Sequence, residues 1–293
     1  MLNLKTEVKV QALFQCNVRK SNSDTIIKST SWFPNIVLNQ GLDRLGTGGV
    51  LAYCRVGVGS SAPLATQTQL DQQVASTSSV NSGSTQYGVN TAQGYSYVRL
   101  TYRFETGVAA GNISEVAVGW GSSGDNSLFN RALIRDVSNN ITTVTVLDDE
   151  VLDVLVELRS YVSLTPKSAL VSISGVQYEL AIQPYIGSNN SIFSSAYQCL
   201  NSAGYSGRLS SVGNTPSGDL GTFVVVNKSY LPGSLKKGFE IFWGLNYGNV
   251  APLRTVVSTT PYCTYQVEFT PSIPKTSETV LRLAFEVSWG RYE

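Results

Sequence analysis

The 293-residue chain is close to neutral, with 21 lysines and arginines against 20 acids, and only 14% of its residues are charged. That balance offers no field for counterion-release binding, which excludes nucleic acid as the main partner. No histidine is present, so the usual general base of serine and cysteine hydrolases and the commonest zinc ligand are missing; the chain reads as a non-enzyme with no catalytic residue, no metal and no cofactor.

Along the chain, Met1 to Val10 sets Lys5, Glu7 and Lys9 among the first residues and lacks the apolar centre of a signal peptide. Val8, Val10, Ala12 and Phe14 then alternate with Glu7, Lys9 and Gln11, which predicts a strand with one dry and one wet face. Asn39 to Leu45 reads as a short helical turn. In Arg55-Val56-Gly57-Val58-Gly59 the valines fall on one side of a strand. The glycines fall on the other, where a backbone or a bulky side chain can come close. Gly57 to Ser61 lacks the lysine of a phosphate loop, so nucleotide binding is set aside. Leu64 to Ala75 is the best helix candidate, although Leu64, Leu70 and Val74 leave its stripe incomplete. Val74 to Gly94 is nearly uncharged and rich in Ser, Thr, Asn, Gln and Gly, and is expected to be a long exposed loop or arm.

Alternation returns at Val98, Leu100, Tyr102 and Phe104 against Arg99, Thr101 and Arg103. Further strands are expected at Ile113–Val118, Ile141–Val146, Val151–Leu158, Val171–Ile173 and Thr222–Val226. Val176 to Ile182, Cys263 to Phe269 and Leu281 to Trp289 alternate clearly, the last with Leu281, Leu283, Phe285, Val287 and Trp289 on one face. Ser188 to Gly221 reads as a second long connection. The expected fold is all-β: antiparallel β-sandwich or barrel-like domains with long Ser/Gly/Asn-rich loops and very little helix. Ser163 to Ala169, with Pro166 and Lys167, divides it into domains 1–165 and 166–293. Val8, Val10, Val98, Leu100, Phe104, Leu283, Phe285 and Val287 are expected in the sheet cores.

No apolar run approaches the roughly 18 residues of a spanning helix, so membrane insertion is not expected. Cys16, Cys54, Cys199 and Cys263 show no C-x-x-C spacing and read as buried thiols. Asp148, Asp149, Glu150 and Asp153 form the one acidic cluster; its expected role is a solvated corner, with calcium ligation and glycosidase chemistry as the alternatives. Fifteen tyrosines, many in Gly- and Asn-rich connections, suit an interface, since tyrosine offers apolar area with a polar tip and few rotors. Tyr87, Tyr95, Tyr197 and Tyr205 are the candidate interface tyrosines, with Trp120 as a core or interface anchor.

The run from Ile36 to Arg159 carries Leu38-Asn39-Gln40-Gly41-Leu42-Asp43, Tyr53 to Gly59, Ser61-Ala62-Pro63, Glu115 to Trp120 and Leu128 to Ile134. Over these segments the chain resembles tail and fibre-associated structural proteins of tailed bacteriophages. The resemblance implies a β-rich virion component of the tail, fibre or baseplate, assembled in the host cytoplasm, with other virion proteins as partners and no catalytic residues. The uncharged arms Val74 to Gly94 and Ser188 to Gly221 are expected to order against a neighbouring copy, which makes the chain a homo-oligomer, and the resemblance favours a trimer. A receptor- or glycan-binding fibre tip that contacts a host-surface glycan, and a capsid decoration or head fibre, are the alternatives.

Overall fold

The computed structural model describes residues 3–292 except 24, 82, 188–190 and 211–213. Strand makes up 52% of the chain and helix 2%, so the fold is all-β, with sheets curled into a half-barrel.

The order is β1 (Asn3–Lys20), β2 (Ile26–Ser29), β3 (Phe33–Pro34), β4 (Ile36–Val37), α1 (Asn39–Arg44), β5 (Tyr53–Gly57), β6 (Gln73–Thr77), β7 (Gln86–Asn90) and β8 (Tyr95–Phe104). It continues with β9 (Gly111–Ile113), β10 (Glu115–Gly119), β11 (Asn130–Leu133), β12 (Val144–Val146), β13 (Glu150–Val162), β14 (Lys167–Ile173) and β15 (Val176–Tyr185). The rest are β16 (Asn201–Tyr205), β17 (Asp219–Thr222), β18 (Val224–Asn227), β19 (Lys236–Trp243), β20 (Leu253–Thr259), β21 (Thr264–Ile273) and β22 (Leu281–Arg291).

The long alternating segments nucleate the largest sheet, ordered β18-β19-β22-β1-β13-β8-β7, with β2 and β3 continuing beside β1. Val8 lies opposite Val162 and Lys20 opposite Glu150, while Val98 lies opposite Leu158 and Phe104 opposite Leu152. This register places Val8, Val10, Phe14, Val98, Leu100, Phe104, Val156 and Leu158 on one face, all buried. Leu283, Phe285 and Val287 of β22 join the same core, so the expected core residues are inside.

Two smaller units pack against that face. β4-β11-β10-β5-β6 form one sheet, and β14-β15-β21-β20-β16-β17 form another. β12 pairs with β9.

The division at 165/166 is not observed. β22 runs parallel to β1, with Leu4 opposite Phe285 and Val8 opposite Trp289, and β19 and β18 extend the same sheet. A single apolar cluster runs from Val8 to Trp289. Parallel neighbours need a long connection; here almost the whole chain serves as one, and spacing along a sequence does not display such a pairing.

Other expectations are corrected as well. Leu64 to Ala75 is not helical: the Leu64 amide donates to Gln67 Oε1 at 2.8 Å, and the segment turns before entering β6. Side-chain bonds satisfy the local backbone in place of helical ones. The expected helical turn at Asn39 is present as α1. The Val74–Gly94 arm is not a free loop, because β6 pairs with β5 and β7 with β8. Its amides and carbonyls complete sheet edges while its polar side chains stay wet. Within Ser188–Gly221, β16 and β17 pair with each other and β16 with β20; residues 188–190 and 211–213 of that connection lie outside the described residues.

Candidate functional site

The segments Leu38–Asp43, Tyr53–Gly59, Ser61–Pro63, Glu115–Trp120 and Leu128–Ile134 converge on the five-stranded sheet and the turn that feeds it. Their charged residues point inward. Glu115 and Arg131 are both fully buried, and Arg131 Nε donates to Glu115 Oε2 at 2.9 Å. Arg131 also reaches Ser61 O, Gln67 Oε1 and Asp71 Oδ2, and Glu115 accepts the amides of Gly59, Asp71 and Gln72. The network therefore ties the 59–72 turn to β10 and β11. Burial alone would raise the Asp71 carboxyl, but the Ser61 bonds and Arg131 outweigh it and hold the group below its ordinary value.

The glycines of Arg55–Gly59 serve this contact. A Cβ on Gly57 would lie 2.5 Å from Glu115 Oε1 and 2.3 Å from Gln72 O, and one on Gly59 would lie 2.4 Å from Glu115 Oε1. Close approach to a glycine face is what their spacing led us to expect.

Arg55 is likewise fully buried. It donates to the carbonyls of Gly121, Ser123 and Gly124 and to Ser127 Oγ, holding the turn after β10. Burial lowers its pKa from the usual guanidinium value.

The acidic cluster is a solvated corner only at Asp148 and Asp149. Asp153 is 1% and Glu150 2% exposed, because both lie on strand β13 inside the large sheet. Arg19 and Arg103 share Asp153 at 2.8 Å each, and Lys20 and Lys28 hold Glu150 at 3.4 and 3.3 Å. Asp148 and Asp149 remain exposed on the turn before β13. Among the described residues, no group of three His, Cys, Asp or Glu side chains is placed to hold a metal ion.

The expected interface residues separate. Tyr197 is 2% exposed, stacked between Tyr262 and Trp289 at 4.8 and 5.1 Å, and Tyr205 is buried on β16, so neither is a surface anchor. Tyr87 lies opposite Val98 and packs on the core. Trp120 is half-buried beneath the Arg44 guanidinium, 5.3 Å from its ring centre.

Tyr95 is buried as well, at 7% exposed, but it belongs to a different assembly. On the outer face of the large sheet, Tyr95, Tyr97 and Arg99 of β8 lie opposite Tyr161, Arg159 and Glu157 of β13. The side chains touch in sequence, and only the last pair is a parallel stack. Trp32 sits over Arg99 (5.2 Å), Arg99 over Tyr97 (5.7 Å), Tyr95 against Tyr97 (6.2 Å) and Tyr161 (5.0 Å), and Tyr161 against Tyr292 (3.8 Å). Arg159 covers Tyr95 at 4.7 Å, and Glu157, itself buried, binds both Arg99 and Arg159. Cation–π contacts of this kind are worth about 0.5–1 kcal/mol each at exposed sites.

The strip ends in a groove of about 280 Å³ lined by Glu7, Lys9, Gln93, Tyr161, Lys167 and Tyr292, among others. It is the candidate site. Trp32, Arg99, Arg159 and Tyr161 were not among the expected interface residues. The alternation of Tyr95, Tyr97 and Arg99 on a wet face was the available signal; the juxtaposition with Tyr161 and Tyr292 depends on strand register.

The chain matches no protein-family model, no curated protein and no solved structure.

Proposed function

We propose that the chain is a non-enzymatic structural subunit of a tailed-bacteriophage particle, placed in the tail, its fibre or baseplate, and working through protein–protein assembly. One observation carries this reading. The segments that resemble tail proteins converge on one sheet and the turns around it, and their charged residues Arg55, Glu115 and Arg131 are spent on holding those turns. Residues that specify a rigid body, rather than reacting with a substrate, are what an assembly subunit requires.

Particles are its location on this reading, after assembly in the host cytoplasm. Purified particles of the encoding phage should contain the chain in a fixed stoichiometry, with labelled antibody marking the tail region. Absence of the chain from intact particles would refute the proposal. Other virion proteins and further copies of the chain are its partners, in a trimer by this proposal; light scattering on purified protein that gives a monomer at micromolar concentration would remove the homo-oligomer.

A host-attachment role is the second reading, and the aromatic groove at Tyr292 is the observation that favours it.

A further inference from the structure

We propose that the groove at Tyr292 binds a carboxylated pyranose, a uronic-acid-type unit of a polysaccharide. The argument begins with the preformed ring. One face of Tyr292 stacks on Tyr161 at 3.8 Å with planes 21° apart, and the residue is 44% exposed. Its amide donates to Val10 O at 2.9 Å, so the backbone behind the ring is already fixed. An exposed aromatic face held in this way accepts the apolar C–H face of a sugar ring while its hydroxyl stays wet, and little freedom is lost on binding.

The polar lining suits the edges of the same ligand. Glu7 can accept, and Gln93 can donate to or accept from, ring hydroxyls. The groove, at about 280 Å³, lies just below the roughly 300 Å³ at which drug-sized pockets begin. That space admits one ring rather than a folded segment.

Charge selects the acid. Lys9 is held by Glu7 at 2.7 Å, whereas the side chain of Lys167, the first residue of β14, makes no hydrogen bond or ion pair among the described residues. Among the described lining residues, two ammonium groups against one carboxylate leave a positive excess that a ligand carboxylate would complement. Because these groups are exposed, the contribution falls with salt.

The test uses the purified full chain, titrated by calorimetry with a glucuronate-containing disaccharide and with its neutral glucose counterpart, at low and at high salt. The glucuronate sugar is expected to bind about tenfold tighter at low salt, equivalent to about 1.4 kcal/mol, with the difference shrinking at high salt. Tyr292→Ala should abolish binding of both sugars. Lys167→Gln should remove the preference for the acid and leave the neutral sugar unchanged; its side chain is exposed, so this variant keeps the test sound if Tyr292→Ala fails to fold. Binding of neither sugar, equal binding of both at low salt, binding that survives Tyr292→Ala, or a preference for a single-stranded oligonucleotide or a peptide at the groove would each overturn the assignment. These results do not depend on where the chain sits in a particle, so failure here leaves the assembly proposal to its own test.

Discussion

Arg131 and Glu115 face each other with neither side chain exposed, and both Nε and Nη2 of the arginine lie 2.9 Å from Oε2 of the glutamate. The carboxylate also accepts three backbone amides, so it is both counterion and cap for the 59–72 turn. Removing one partner of a buried pair typically costs about 3–5 kcal/mol, because the other charge stays desolvated. Glu115→Ala is expected to lower the unfolding free energy by about that amount in urea titration. A loss under about 1 kcal/mol would mean that the turn finds other partners.

Asp153 and Asp148 sit five residues apart and should respond in opposite ways. Asp153 is buried and shared by Arg19 and Arg103, while Asp148 is exposed on a turn. Asp153→Asn withdraws the charge that both guanidiniums share, and because those arginines are about a quarter exposed the cost is expected nearer 2 kcal/mol than the full buried-pair value. Asp148→Asn should leave the urea midpoint unchanged. Equal effects in the two variants would contradict the placement of β13.

Those two aspartates also mark what was legible in the sequence. Alternation identified β1, β8, β15, β21 and β22 and their dry faces, because a period of two is a local property. It did not show that Asp153 belongs to a strand whose wet face is covered by arginines, since that requires the Asn17–Asp153–Arg103 register across three strands. The β1–β22 pairing was hidden for the same reason, joining residues 281 positions apart. Polar composition suggested free arms at 74–94, yet backbone pairing is indifferent to serine and glutamine, and β6 and β7 formed at sheet edges. At the candidate site, Tyr95 was legible only as an interface tyrosine, and its burial was not; nor was the Tyr161–Tyr292 stack, because Tyr292 arrives from the far end of the chain.

Acid sensitivity should trace in part to Glu150. The Leu147 amide, then Lys28 and Lys20, hold its carboxyl below the ordinary value of 4.5 against the opposing effect of burial. A depressed folded-state pKa adds stability that is fully present above the unfolded value and is lost as the pH falls through the folded one. The parent protein should therefore lose urea resistance as the pH falls below the ordinary value of 4.5, and Glu150→Gln should be weaker near pH 7 but flatter across that acid limb. Parallel acid limbs for the two proteins would remove Glu150 from the account.

The cysteines lead to a chemical prediction. Cys16, Cys54, Cys199 and Cys263 are all free and buried. Burial pushes the thiols of Cys16, Cys199 and Cys263 up to about 12 and that of Cys54 well above its ordinary value. Only the thiolate attacks a disulfide reagent, and a thiol with a pKa near 12 is ionised to about one part in ten thousand at pH 8. Packing adds a second barrier: Cys16 and Cys54 lie in the core with Phe14 and Tyr102, so a reagent reaches them only through local or global opening. The native protein is expected to release almost no thionitrobenzoate from Ellman's reagent at about pH 8, and all four thiols should react at once in concentrated urea. The slow native rate should follow stability, so Glu115→Ala, which loosens the 59–72 turn and the sheet holding Cys54, should speed the labelling of Cys54 in peptide mapping. Rapid native labelling of Cys54 in the parent protein would show that β5 is not packed into the shared apolar core, and labelling of Cys199 or Cys263 would say the same of the segments that lead into β16 and β21.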